Sequence, residues 1–166
     1  VLGSKPGETR RLCVRLTASY ARSPKKRYPV IYVLPGLSGS DVAPFRGDDH
    51  LGKVIDDVAV KAKREAILVG VDTSSPFGSS YFSDSPLHGP WEAYGAKTMV
   101  SAVDAKYRTI ASPQARALAG HSTGGFDAIS LAMRHPEVFR AVGSSHPDAL
   151  DLDAWLWDAE GRARKK

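Results

Sequence analysis

The sequence predicts an α/β fold on a mostly parallel sheet, and three observations carry that prediction. Short continuous apolar runs recur at Val30-Ile31-Tyr32-Val33-Leu34, at residues 66–71 and at Ala117-Leu118-Ala119. They are of strand length and lack the alternation of a half-exposed strand, as expected of parallel strands covered on both faces. Between them lie longer segments whose apolar residues fall at helical spacing, so that strand and helix alternate along the chain. Loops rich in glycine, serine and proline follow the carboxyl ends of the runs, which is where open α/β sheets bind their ligands.

Taken in order, residues 11–16 alternate as a strand, and the basic turn of residues 24–27 leads into the buried strand of residues 30–34. The loop "PGLSGS", residues 35–40, breaks the run. Residues 49–63 are the first expected helix, with Leu51, Val54, Ile55, Val58 and Ala62 on one side, and residues 66–71 are the next buried strand. Residues 72–90 are rich in Ser, Gly, Pro and aromatics, and a loop of that length inside a compact domain usually serves function. A helix over 91–107, a strand over 116–120, a helix over 123–135 and a strand over 139–144 complete the pattern. Parallel neighbours need such crossovers. Residues 1–166, 42% hydrophobic and 25% charged, therefore read as a single domain.

Composition narrows the function classes. The net charge is +5, but the basic residues are scattered except at residues 22–27 and 162–166. No basic and aromatic stripe or nucleic-acid reader motif accompanies them, so a solvated surface is expected and no nucleic-acid partner. Cys13 is alone, which excludes an internal disulfide and a cysteine metal cluster. His50 and His88 have no partner at metal spacing, and neither metal nor cofactor is expected. No apolar stretch approaches the ~20 residues of a membrane span. The chain begins with Val1, and compartment and oligomeric state stay open.

The chemistry concentrates at "ALAGHSTGGFDAI", residues 117–129. An apolar strand runs into Gly120-His121-Ser122-Thr123-Gly124, and from Thr123 onward Phe126, Ile129, Ala132 and Met133 fall at helical spacing. This is the G-x-S-x-G frame of a nucleophile elbow, in which a sharp strand-to-helix turn exposes a serine hydroxyl. A serine among glycines also fits a plain N-cap or loop, and the context decides. Three loops, residues 35–39, 72–90 and 120–124, leave the carboxyl ends of expected parallel strands and converge on one crevice.

"RYPVIYVLPGLSGS", "FGSSYFSDSPLHGPWEAY", "VDAKYRTI" and "AGHSTGGFDAISLAMRHPEVFRAV", in that order, resemble successive blocks of the esterase branch of the α/β-hydrolases. That branch holds esterase D or S-formylglutathione hydrolase-like enzymes, feruloyl and enterochelin esterases, and mycolyltransferases. The chain departs from it at Pro35, where histidine is more frequent, and at Thr123, where methionine is. The resemblance implies an α/β-hydrolase sheet. It also implies a serine carboxylic-ester hydrolase acting through an acyl-enzyme on Ser122, on a small-molecule ester or thioester. An acyltransferase using the same acyl-enzyme, or a non-catalytic binding module of the same fold, are the alternatives. Acyl transfer needs two donors for the developing oxyanion. The elbow offers the backbone N–H of Thr123, and Leu37, after Pro35-Gly36, matches the family's position for the second. Tyr81 and Trp91 belong to segments beside the family's ester cleft. Trp91 also fits core packing, and Asp72 reads as a hydrogen-bonding residue of the long loop.

A serine needs a general base, normally a histidine held by a carboxylate. Downstream of Ser122 stand His135, which reads as a helix C-cap before Pro136, and His146, which follows the last expected strand. Asp127 and Glu137, on or beside the elbow helix, are the acids between Ser122 and His146. His146 and Asp148 are thus the triad candidates of a rearranged site. His121, inside the elbow, is expected to support the turn. Family members carry the acid and histidine on later strands, so the chain is expected to be an N-terminal portion lacking its C-terminal strands. The alternative is a complete relative that binds without catalysing. A portion of this kind leaves the outer edge of its last strand unpaired and Trp155, Leu156 and Trp157 as an exposed apolar patch.

Overall fold

A computed structural model describes residues 8–46, 51–76 and 78–148 of the chain. His50, Trp155, Leu156 and Trp157 lie outside the described residues. Five strands form one sheet in the order β1-β3-β2-β4-β5: β1 Leu12–Arg15, β2 Val30–Leu34, β3 Ile67–Val71, β4 Arg116–His121 and β5 Ala141–Ser145. Helix α1, Leu51–Lys61, connects β2 to β3, and α4, Thr123–Arg134, connects β4 to β5. Between β3 and β4 the chain passes through α2, Trp91–Ala93, a π-helical turn at Tyr94–Thr98, and α3, Met99–Lys106. β2, β3, β4 and β5 pair in parallel, and β1 lies antiparallel on β3 with Leu12 opposite Val71.

Apolar continuity has the expected consequence. Every residue of β3 is buried and β2 nearly so, because helices and neighbouring strands cover both faces. β5 is different: Ala141 to Ser144 are exposed, and no described strand pairs with its outer edge. The apolar run suggests that this strand starts at Phe139, but the strand begins at Ala141. Phe139 instead turns into the core and meets the Tyr32 ring edge-on at 6.0 Å.

Residues 91–107 read as one regular helix, and the π-helical turn corrects that. Gly95 sits at this turn against the Phe82 ring, where a Cβ would come within 2.5 Å of Phe82 Cδ1. Of the two readings of Trp91, cleft residue and core packing, the structure shows core packing. Trp91 is buried in the core, edge-on to Phe82 and Tyr94, with the Arg10 guanidinium 4.5 Å from its ring centroid.

The carboxyl ends of the parallel strands gather at one edge of the sheet. The Ser38 N–H donates to Gly78 O at 3.2 Å, tying the loop after β2 to the loop after β3. The Ser122 N–H donates to Ser145 O at 3.0 Å, tying the end of β4 to the end of β5.

Candidate active site

Ser122 stands at the turn between β4 and α4 with φ 53° and ψ −126°. Positive φ is uncommon for a residue with a side chain, costs of order ~1–3 kcal/mol, and persists only where the surroundings over-determine it. Here the surroundings do. A Cβ at Gly120 would lie 2.0 Å from Gly124 O, and one at Gly124 would lie 2.2 Å from Leu34 O and 2.5 Å from Pro35 O. The start of α4 is thereby pressed onto the end of β2, with backbone against backbone and no room for a side chain. The loop after β2 comes alongside, since a Cβ at Gly36 would be 3.7 Å from Ser122 Cβ.

Thr123 and Leu37 each present a backbone N–H near the serine. Thr123 opens α4, and its N–H has no backbone acceptor among the described residues. In the loop after β2, the Ser38 and Gly39 N–H groups are bonded to Gly78 O and Gly36 O, whereas that of Leu37 has no backbone acceptor among the described residues. The Leu37 side chain is 54% exposed. The positive end of α4 adds to the field around Thr123.

The hydroxyl of Ser122 donates to Asp148 Oδ1 at 3.2 Å, and that of Thr123 to Asp148 Oδ2 at 2.5 Å. The Asp148 N–H donates back to Ser122 O at 3.3 Å. Tyr81, at φ 52°, brings its phenol to Thr123 and Asp148 and sets its ring edge-on to Phe126 at 5.7 Å. Burial, and then the Asp148 charge, raise the Tyr81 pKa. Sequence order thus brings together Ser122, Thr123, Tyr81 and Asp148 at this edge.

His146 does not join them. Its Nδ1 bonds Ser145 Oγ at 2.9 Å, its ring meets that of His121 at 5.7 Å, and among the described residues no histidine is bonded to Ser122. His135 occupies the C-cap of α4 and lies between Glu92 and Glu137, bonded to each. Asp72 accepts from the Ser74 N–H and hydroxyl, as a loop residue. A further group is Asp127, fully buried on α4 one turn beyond Thr123, with neither carboxyl oxygen bonded among the described residues. An acid at i+4 from Thr123, on the face of the helix that turns inward, is the signal that marks it.

A sheet of this order with a serine at the strand-to-helix turn places the chain among the α/β-hydrolases. The family model described as "Putative esterase" matches residues 3–166, and the chain belongs to that family. Esterase Rv1288 of Mycobacterium tuberculosis (strain ATCC 25618 / H37Rv) is 34% identical over 140 residues, covering 81% of this chain and 29% of the relative. Among solved structures, a ferulic acid esterase is 29% identical with a TM-score of 0.69, covering 81% of this chain and 52% of that one. An S-formylglutathione hydrolase from Agrobacterium tumefaciens shares the fold at 16% identity and a TM-score of 0.62, covering 83% and 52%. The chain thus spans under a third of that curated relative and about half of each solved one.

Proposed function

We propose that the protein is a serine carboxylic-ester hydrolase acting through an acyl-enzyme on Ser122. The observation that carries this reading is the strained turn: a serine at φ 53° between β4 and α4, near the N–H groups of Leu37 and Thr123, which have no backbone acceptor among the described residues. In this reading Ser122 Oγ attacks the ester or thioester carbonyl as its proton passes to a histidine base of the full-length protein. The carbonyl oxygen gains the charge and receives the two N–H groups, each such donor being worth ~2.7–4 kcal/mol in the transition state. Collapse expels the alcohol or thiol, and water then hydrolyses the acyl-enzyme. Asp148 holds the resting hydroxyl of Ser122 until the base engages.

Leu37, half exposed, and the Tyr81–Phe126 pair offer apolar surface for the substrate, suited to a small or medium acyl group. The relationship to a ferulic acid esterase makes aryl acyl esters the first substrates to try. The test is labelling of the full-length protein with a fluorophosphonate probe. Ser122 is the expected site, and Ser122→Ala abolishes both labelling and ester turnover. Undiminished labelling of the alanine variant places the nucleophile elsewhere.

A further inference from the structure

Asp127 has no exposed surface and no hydrogen-bonded oxygen among the described residues. The charged and titratable groups facing it are Asp148, which follows β5, Tyr81, from the loop after β3, and Arg134, two turns further along α4. Arg134 donates to Phe82 O at 3.0 Å and pairs with Glu92 at 3.3 Å, so its charge is largely engaged elsewhere. The two carboxyls differ in what they receive. Asp148 accepts the hydroxyls of Ser122 and Thr123, while Asp127 accepts nothing among the described residues. A fully buried carboxyl without donors, facing a second carboxyl, ionises at high cost and keeps its proton.

From this cluster, and resting on the esterase reading above, we propose that Asp127 is a positioning residue for Ser122. Kept as an uncharged acid beneath the elbow, it leaves Asp148 as the single negative charge set against the Ser122 and Thr123 hydroxyls. Burial, and then the Asp148 charge, push the Asp127 carboxyl up to about 8, with Arg134 opposing. Ionised Asp127 acts on Asp148 through charge. The two negative charges repel, and Asp148 is drawn off the elbow and loosens its hold on the two hydroxyls. A second negative charge one turn from the Thr123 N–H also opposes the charge developing on the substrate oxygen, an effect on kcat more than on KM.

The test compares the pH profiles of ester turnover by the full-length protein and its Asp127→Asn variant, whose amide copies the neutral carboxyl. Between about pH 7 and about pH 9.5, wild-type kcat is expected to fall about tenfold or more relative to the variant, with KM moving less than about threefold. Melting gives a second readout. Unfolded, Asp127 releases its proton near 3.8, so the fold holds the extra proton up to about 8 and loses stability as pH rises through that window. The asparagine variant lacks that slope. Parallel pH profiles in two proteins that both label at Ser122 overturn the proposal and leave the esterase reading standing. Full turnover by Ser122→Ala overturns both. If Asp127→Asn fails to fold, Asp148→Asn replaces it: removing the neighbouring charge moves the alkaline limb to lower pH, and an unmoved limb overturns the proposal.

Discussion

The two ends of α4 are built in opposite ways. At its start the backbone does the holding: Gly124 lies on the Leu34 and Pro35 carbonyls, Gly120 on Gly124 O, and Ser122 is left at positive φ. At its end charged side chains do it. Arg134 reaches Glu92 and the Phe82 carbonyl, and His135 lies between Glu92 and Glu137. A backbone contact has no rotamer to change, whereas a side-chain pair near solvent re-forms or breaks at little cost. The strained serine sits at the end that cannot give.

The sharpest way to break this comparison is to add one methyl group at the rigid end. Gly124→Ala sets a Cβ 2.2 Å from Leu34 O, an atom of β2 that cannot move without the sheet. Overpacking typically costs ~1–3 kcal/mol, and this substitution belongs at or above the upper end. Thermal or denaturant melting of the full-length protein measures it, and probe labelling at Ser122 is expected to fall with it. Gly143→Ala is the control. On β5 the added Cβ meets, among the described residues, only Ala119 Cβ, at 4.0 Å, and stability is expected to stay within ~0.5 kcal/mol. Equal effects at the two glycines break the account of the elbow.

That rigidity is also why so much of the elbow was legible in the sequence. Gly120, Gly124 and Gly125 mark backbone approaches that a pattern of residue types can register, and β2 reads clearly because Pro29 and Pro35 bound its apolar run. The unreadable features depend on partners distant in sequence. The π-helical turn at Tyr94–Thr98 coincides with the packing of Phe82, a loop residue, on Gly95. Beside Ser122, the sequence offers His146 as candidate base and Asp148 as candidate acid of a rearranged site. The chain passes His146 at φ 45°, and this left-handed turn returns Asp148, not the imidazole, to the elbow. Such a turn at a histidine leaves no mark in composition or periodicity.

A smaller effect sharpens the division between backbone and side chain within the elbow itself. Thr123→Val removes the hydroxyl that donates to Asp148 at 2.5 Å but keeps the N–H assigned to the oxyanion. A hydrogen bond to a charged group contributes ~1.5–3 kcal/mol, so melting is expected to fall by about that much. Ester turnover is expected to fall by less than about tenfold, because the donor proposed for the transition state is the backbone N–H. A loss beyond about a hundredfold makes the hydroxyl itself a participant and moves Thr123 from backbone donor to side-chain chemistry.

The smallest expected effect lies at the flexible end of α4, and its pH dependence has a definite sign. Partial burial of His135 acts to lower its pKa, but the bonds to Glu137 and Glu92 outweigh burial and raise it above its ordinary 6.5. A histidine raised in the fold contributes stability that is full below the ordinary value and disappears as pH rises through the raised one. His135→Ala is therefore expected to lower the melting temperature at about pH 5.5 and to approach wild type by about pH 8.5, where the imidazole is neutral in both states. The difference is expected to be no more than about 1 kcal/mol, since these pairs face solvent and Arg134 still pairs with Glu92 at 3.3 Å. Labelling of Ser122 is expected to be the same in both proteins at either pH. A His135→Ala protein that keeps its fold but no longer labels shows that the two ends of α4 are coupled along the helix. The strain at Ser122 then depends on the charged anchor as well as on the glycines.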